Sequence, residues 1–206
     1  MTNIHFYNSF RFFALVFCSL SIVLFSGCDE DDPRRENTPE LITKATLIFT
    51  PAAGGSVVQA TATDPDGEGV DDLTVDGPIN LEPFTTYTLQ INLINELAQP
   101  TDPAYDITGE VEEEGDEHLF LYAWTNNVFA DPSGDGNIDA RADDVNYLDE
   151  DEGGLPIGLE TSWTTGTTAS GTFRVILKHQ PDLKSETSAS TVGETDLDIQ
   201  FVINIQ

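Results

Sequence analysis

The last ten residues of the chain, LDIQFVINIQ at positions 197–206, decide the fold class. Their apolar members stand at every second position: Leu197, Ile199, Phe201, Ile203 and Ile205. A period of two residues puts these side chains on one face of an extended strand, while mostly polar side chains occupy the other face. The stretch therefore predicts a β-strand that covers a hydrophobic core with one side and meets water with the other.

The same β-type character recurs along the chain. Runs rich in Thr, Val and aromatic residues lie at 44–50, 56–62, 72–76, 86–94, 117–125, 144–148, 155–164 and 172–180. Clusters of Gly, Pro, Asp and Asn separate them, as turns between strands do. We therefore predict an all-β fold, an antiparallel β-sandwich of immunoglobulin-like shape with seven to nine strands and acidic loops. The one helical pattern covers about two turns at 106–114.

The composition limits the classes of function. The chain has 206 residues, with 37 Asp and Glu against 8 Lys and Arg and a formal net charge of -29. A protein this acidic lacks the basic face that displaces counterions from phosphates, so we expect no nucleic acid among its partners. A hydrophobic content of 39% with 12 Phe is too high for a wholly disordered chain.

The N-terminal residues have the pattern of a lipoprotein leader. The apolar run 12–26 is too short to span a bilayer and is typical of a secretory signal peptide. It leads into Leu-Phe-Ser-Gly-Cys at 24–28, which resembles the lipobox of bacterial lipoproteins. We therefore predict that residues 1–27 are a signal peptide and that Cys28 is lipidated, which anchors the chain to a membrane without a transmembrane helix. The alternative is an ordinary signal peptide that leaves Cys28 as a free thiol.

Acidic residues follow Cys28 directly, as Asp-Glu-Asp-Asp at 29–32. Such a stretch resembles the surface-export signal of Bacteroidota-type lipoproteins, and it implies a lipid-anchored protein of the outer membrane that faces the cell surface. The alternative is a plain solvated tether. We therefore predict that residues 28–40 are a lipidated acidic tether, and that residues 41–206 form a single β-sandwich domain.

Two histidines give a first candidate metal site. His118 ends an acidic run that includes Glu114 and Asp116, and His179 lies on the apolar phase of the strand predicted at 172–180. If the two strands are neighbours, both imidazoles and one of these carboxylates can bind zinc or copper. The alternative is that each histidine is a hydrogen-bonded structural residue at a strand end.

Two acidic loops are candidate calcium sites. The run DPDGEGVDD at 64–72, which includes Asp64 and Asp66, resembles the calcium loops of extracellular repeat modules. The loop that contains Asp131 and Asp135 matches the first part of an EF-hand loop but lacks the bidentate Glu that completes it. The alternative is that these Asp-Gly turns only connect strands.

The sequence offers little support for catalysis. Apart from Cys28, the only cysteine is Cys18, which is removed together with the signal peptide. Neither a G-x-S-x-G elbow nor an H-E-x-x-H motif occurs. We therefore predict that the protein is not an enzyme. Trp124 and Trp163 allow a platform on which sugar rings stack, and the alternative is that both indoles pack in the core.

Several motifs together resemble a known family. They are the lipobox with its acidic tether, LIFTP at 47–51, DPDG at 64–67, EEEGDEH at 112–118, WTTG at 163–166, VILKHQP at 175–181 and GETD at 193–196. With them the chain is similar to small Bacteroidota-type outer-membrane lipoproteins of uncharacterised function, often labelled "type 1 periplasmic binding fold". That label denotes a two-lobed α/β fold, whereas this sequence has almost no helical pattern, so we expect the all-β fold. The resemblance also implies an accessory role beside a TonB-dependent outer-membrane transporter.

These observations lead to one functional hypothesis and two alternatives. We predict a surface- or periplasm-facing lipoprotein that binds a ligand, a metal ion or a metal complex, as an accessory to an outer-membrane transporter. The first alternative is a structural or adhesive module with calcium-stabilised loops. The second alternative is a carbohydrate-binding module.

Overall fold

The computed structural model of the chain describes residues 40–67 and 73–206. The predicted signal peptide, Cys28 and all but the last residue of the predicted tether therefore lie outside the described residues, as do residues 68–72 of the first acidic loop. Within the described ranges, no helix is long and apolar enough to cross a membrane.

Strands dominate the described chain, and most of them lie close to the positions that the sequence predicts. They are β1 (Lys44–Pro51), β2 (Val58–Thr63), β3 (Thr74–Val75), β4 (Ile79–Leu81), β5 (Thr86–Ile94), β6 (His118–Trp124), β7 (Phe129–Asp131), β8 (Asn146–Tyr147), β9 (Glu160–Thr165), β10 (Ala169–His179) and β11 (Glu194–Ile205). The helical segments are α1 (Ile107–Glu113), which lies within the predicted 106–114, and a 3-10 turn at Pro103–Tyr105.

The strands form two sheets. The first has the order β3-β2-β1-β5-β9-β7, with β8 also paired to β9, and the second has the order β4-β11-β10-β6. Strands β11 and β4 run parallel, and the other pairs of described strands are antiparallel. The predicted all-β sandwich is confirmed. The described chain has eleven strands rather than seven to nine because β4 and β7, which none of the predicted runs covers, are only three residues long, and such short strands show no period.

The two sheets share one hydrophobic core. The alternation predicted for the end of the chain is confirmed, since the apolar side chains from Leu197 to Ile205 are at most 2% exposed, whereas Val202 on the other face is 54% exposed. Strands β1 and β5 of the first sheet contribute buried residues such as Leu47 and Leu89 to the same cluster. Because side chains alternate between faces, one apolar stripe from each long strand builds the core.

Aromatic rings fill one part of this core around Phe173. Its ring centroid lies 5.2 Å from that of Trp163 and 5.6 Å from that of Phe129, and Trp163 meets Trp124 edge to face at 5.2 Å. Trp124 is 1% exposed and Trp163 is 0% exposed. The two indoles therefore offer no surface to a sugar, so the interpretation of Trp124 and Trp163 as a stacking platform is wrong and their packing in the core is confirmed.

Helix α1 lies beside β5 and leads the chain to the start of β6. The Asp106 side chain caps the helix by accepting a hydrogen bond from Gly109 N at 3.2 Å. The Thr108 hydroxyl accepts a second hydrogen bond from Leu93 N at 2.7 Å, which joins the helix to β5. The first turn of the helix is thus fixed to β5, and Glu114 follows the last residue of the helix.

Truncation of Phe173 should show how much the aromatic cluster contributes to stability. Phe173→Ala leaves a cavity among rings that cannot close over it, so we expect the free energy of unfolding to fall by about 3–5 kcal/mol. Phe84→Ala is the matched control, because Phe84 is 74% exposed, and it should change stability by less than about 0.5 kcal/mol. Urea unfolding of both variants measures the difference, and equal effects would contradict the described core.

Candidate metal centre

His118 and His179 face each other at one end of the second sheet. His118 is the first residue of β6 and His179 is the last residue of β10, and the antiparallel register pairs them directly. Their rings stack with centroids 4.7 Å apart and an angle of 7° between the ring planes. Both residues are buried, with exposures of 0% and 2%. A shared site for the two histidines requires their strands to be neighbours, and β6 and β10 are neighbours.

Each imidazole uses one nitrogen in a hydrogen bond to an oxygen. His118 Nδ1 lies 3.1 Å from the carbonyl oxygen of Glu114, and His179 Nε2 lies 3.2 Å from Oε2 of Glu117. A carbonyl or carboxylate oxygen accepts, so in the neutral imidazoles these two nitrogens carry the proton. The other two nitrogens, His118 Nε2 and His179 Nδ1, hold unprotonated lone pairs, and neither has a hydrogen-bond partner among the described residues.

The acidic run before β6 adds a carboxylate to the histidine pair. One oxygen of Glu114 and one nitrogen from each histidine lie within 4.8 Å of one another, so a single ion can contact all three. Asp116, the other predicted partner, is exposed and lies outside this group of described residues. Glu117 is 2% exposed instead, and its carboxylate orients His179.

Two more carboxylates approach His118 from distant parts of the chain. Glu40 Oε1 and Asp196 Oδ2 each lie 3.8 Å from His118 Nε2, and the side chains of the two acids are 10% and 0% exposed. Asp196 Oδ1 accepts a hydrogen bond from Glu40 N at 3.4 Å. Its Oδ2 has no hydrogen-bond donor within residues 40–67 and 73–206. A buried carboxylate oxygen without a donor destabilises the fold unless a positive charge compensates it.

A β-bulge explains how Asp196 reaches the site. Leu177 pairs with Leu197, but the next residue of β10, Lys178, pairs with Thr195, so Asp196 is an extra residue in β11. In a regular strand Asp196 would point away from the core, because its neighbour Leu197 points into it. A bulge places two successive side chains on nearly the same side and so re-aims one of them. The sequence period assigns Asp196 to the polar face and gives no sign of this bulge.

Burial and mutual repulsion shift the pKa values in this cluster. Burial, helped by the charges of Glu110 and Asp196, raises the pKa of Glu40 from 4.5 to about 8. Burial also raises the pKa of Asp196 from 3.8 to about 6, against an opposing effect of His179. For His118, burial and then the charge of His179 lower the pKa from 6.5 to about 4. The His118 imidazole is therefore neutral at pH 7, the form that binds metals.

A buried lysine supports the turn that carries Glu114. Lys184 Nζ donates a hydrogen bond to the carbonyl oxygen of Gly115 at 2.6 Å and pairs with Asp151 Oδ2 at 2.8 Å. The side chains of Lys184 and Asp151 are 2% and 3% exposed. The turn between α1 and β6 is thus held from behind by a buried ion pair, which keeps Glu114 and His118 in place.

The first predicted calcium loop uses its acids to build a turn. Asp64 Oδ1 accepts hydrogen bonds from Gly67 N and Asp66 N, each at 3.1 Å, and the bond from Gly67 lowers the pKa of Asp64. Asp131, from the second predicted loop, lies at the end of β7 and is exposed. Within the described part of the chain, neither Asp64, Asp66 nor Asp131 belongs to a cluster of three metal-ligating groups.

The second predicted loop does bring three other acids together. One oxygen each from Asp135, Asp139 and Asp143 lie within 4.8 Å of one another, and all three residues are exposed. The loop is attached to β6 because Asn137 Oδ1 accepts a hydrogen bond from Tyr122 N at 3.0 Å. All three acids lie in the predicted EF-hand-like loop at 131–143: Asp135 and Asp139 are part of its match, and Asp143 is the substitute for its missing Glu.

No known protein family matches this chain, and no curated protein or solved structure matches it either. The resemblance to Bacteroidota-type lipoproteins and the lipidation of Cys28 therefore stay predictions. The feature of the described chain that points to a function is the buried cluster around His118 and His179.

The raised pKa of Glu40 predicts that the metal-free protein loses stability as the pH rises. A carboxyl group with a pKa of about 8 in the folded state and 4.5 in the unfolded state binds more protons when folded. Its contribution to stability therefore falls as the pH rises through this window. The lowered pKa of His118 reduces stability only below about pH 6.5, so Glu40 should determine the trend between pH 6.5 and 8.

Urea unfolding in EDTA should show this decline, at no more than about 1.4 kcal/mol per pH unit, the limit for one proton. Glu40→Gln should remove most of the decline. Glu194→Gln is the control, because Glu194 is an exposed acid on β11, and it should retain the slope of the wild type. If Glu40→Gln also retains that slope, the raised pKa is not the cause.

Proposed function

We propose that this chain binds a divalent transition-metal ion, zinc or copper, at a centre formed by His118, His179 and Glu114. The observation that carries the proposal is the pair of buried imidazole nitrogens whose lone pairs meet no hydrogen-bond donor in the described structure. Such atoms cost free energy when they are left without a partner, and a bound cation supplies that partner.

The ligand types favour zinc or copper over calcium. Calcium and magnesium take oxygen ligands, whereas neutral imidazole selects zinc, copper and related ions. The two hydrogen bonds from the rings to the Glu114 carbonyl and the Glu117 carboxylate are those that fix the orientation of metal-bound histidines in general. The carboxylate of Asp196 adds negative charge beside His118, and that charge attracts a cation. Glu40, whose pKa is about 8, adds a second negative charge when it loses its proton.

The cellular setting is part of the same proposal. The lipobox-like segment that ends at Cys28 and the acids behind it support a lipid-anchored protein of the outer membrane that faces the cell surface. The resemblance to Bacteroidota-type lipoproteins supports an accessory role beside a TonB-dependent transporter. The burial of both histidines favours an ion that stays bound in the domain over one that is released at each encounter with a partner.

Zinc should raise the melting temperature of the full chain. An ion that binds only the folded state adds about 2.7 kcal/mol at 100 times its Kd, which corresponds to roughly 5–10 °C for a domain of this size. His118→Gln and His179→Gln should each remove most of this rise, because each deletes a nitrogen ligand. Differential scanning calorimetry with and without zinc measures the effect, and Cu²⁺ electron paramagnetic resonance should show coupling to two imidazole nitrogens.

Asp139→Asn serves as the matched control, since it removes an acid from the exposed cluster and leaves the histidines intact. This variant should retain the full response to zinc. The proposal fails if zinc leaves the melting temperature of the wild type unchanged, or if both histidine variants respond as the wild type does.

A second candidate function is a module whose loops are stabilised by calcium. The convergence of Asp135, Asp139 and Asp143 favours it, because calcium binds clusters of carboxylate oxygens. Millimolar calcium should then raise the melting temperature of the wild type and of His118→Gln alike, and Asp139→Asn should abolish the rise. An unchanged melting temperature of the wild type in millimolar calcium would exclude this function for the exposed cluster.

A further inference from the structure

We infer that Glu40 and Asp196 are two further ligands of the proposed metal centre, so that the bound ion ties the chain at residue 40 to strand β11. The inference rests on the proposed function. It adds the residues that complete the centre and the segment whose position the ion controls.

The case for Asp196 rests on its burial and its direction. Its side chain is 0% exposed, and Oδ2 points toward His118 Nε2 at 3.8 Å. Neither of these two atoms has a hydrogen-bond partner in the described ranges. The bulge in β11 that redirects Asp196 lies opposite Leu177 and Lys178 of β10. It is therefore next to His179. Both orphaned atoms therefore lie on one side of the site, where a shared cation would compensate them together.

Glu40 lies at a distance from His118 Nε2 that two ligands of one zinc ion can have. Two ligands that each lie 2.0–2.1 Å from a zinc ion are roughly 3.3 Å apart in a regular tetrahedron and at most about 4.2 Å apart. The separations of His118 Nε2 from Glu40 Oε1 and from Asp196 Oδ2 are both 3.8 Å, which lies between these limits. They are too long for hydrogen bonds. Neither acid belongs to the group of described ligand atoms that lie within 4.8 Å of one another, so coordination by the same ion requires the side chains of Glu40 and Asp196 to move toward it.

A metal ligand at residue 40 has a mechanical consequence. Residue 40 is the last residue of the predicted tether, and it lies 156 residues from Asp196 in the sequence. The hydrogen bond from Glu40 N to Asp196 Oδ1 is long, at 3.4 Å, compared with the usual 2.7–3.2 Å. Coordination of both carboxyl groups by one ion would join Glu40 to Asp196 more strongly than this hydrogen bond does. The ion then holds residue 40 against β11.

The experiment combines zinc calorimetry on four forms of the full chain with hydrogen exchange on the wild type. Glu40→Gln and Asp196→Asn should each weaken zinc binding at least tenfold, because each replaces an anionic carboxylate ligand with a neutral amide. Glu194→Gln removes an exposed acid two residues from Asp196, and it should bind zinc within twofold of the wild type. Circular dichroism of each variant confirms that it is folded.

Hydrogen exchange needs no variant and tests the tie at residue 40 directly. The amides at 40–43 exchange when this segment separates locally from the domain. Zinc slows their exchange only if this separation breaks a bond between the segment and the ion. Zinc should therefore slow exchange at 40–43 at least tenfold. The turn at 166–168, at the opposite end of β10 from His179, should exchange at the same rate with and without zinc.

The outcomes separate this inference from the function on which it rests. Zinc binding that is weakened in both acid variants, together with slowed exchange at 40–43, supports the inference. Tight zinc binding that survives both substitutions, with unchanged exchange at 40–43, overturns the inference and leaves the centre of His118, His179 and Glu114 standing. If the wild type binds no zinc, the proposed function fails first and the inference fails with it.

Discussion

The antiparallel pairing of β6 with β10 is the constraint on which the core and the site both depend. One register places Phe173 opposite Trp124 in the aromatic cluster and His179 opposite His118 at the other end of the ladder. Because the side-chain period of a strand is two, a slip by one residue would move every one of these side chains to the opposite face. The same hydrogen bonds that align the aromatic core therefore bring the two imidazoles together.

The buried cluster is built against the ordinary cost of burying charge. Carboxyl groups that are removed from water tend to retain a proton, and the raised pKa values of Glu40 and Asp196 express this cost. Hydrophobic side chains of similar volume would fill the same space with less electrostatic strain. Instead, a β-bulge directs Asp196 inward, and a buried lysine, Lys184, holds the neighbouring turn. The proposed binding of a cation would give these features a common physical reason.

The sequence predicts those parts of the molecule that follow from local periodicity. Alternation at 197–206 is enough to assign a half-buried strand and, with the other runs, the all-β sandwich. The pairing of His118 with His179 depends on which strands are neighbours, and a period of two carries no information on that. Asp196 is hidden because a bulge reverses the face that its period assigns. Glu40 lies in a segment whose composition is that of a tether, so nothing in the sequence links it to a buried site.

The most direct test of the account is the location of the metal itself. Diffraction from zinc-grown crystals of the full chain, recorded on both sides of the zinc absorption edge, identifies the ion by its anomalous signal. The account predicts a peak about 2.0–2.1 Å from His118 Nε2 and within coordinating distance of His179. Crystals that show no anomalous peak in this cluster, with His118 Nε2 bonded to water or to a protonated carboxyl group, would contradict it.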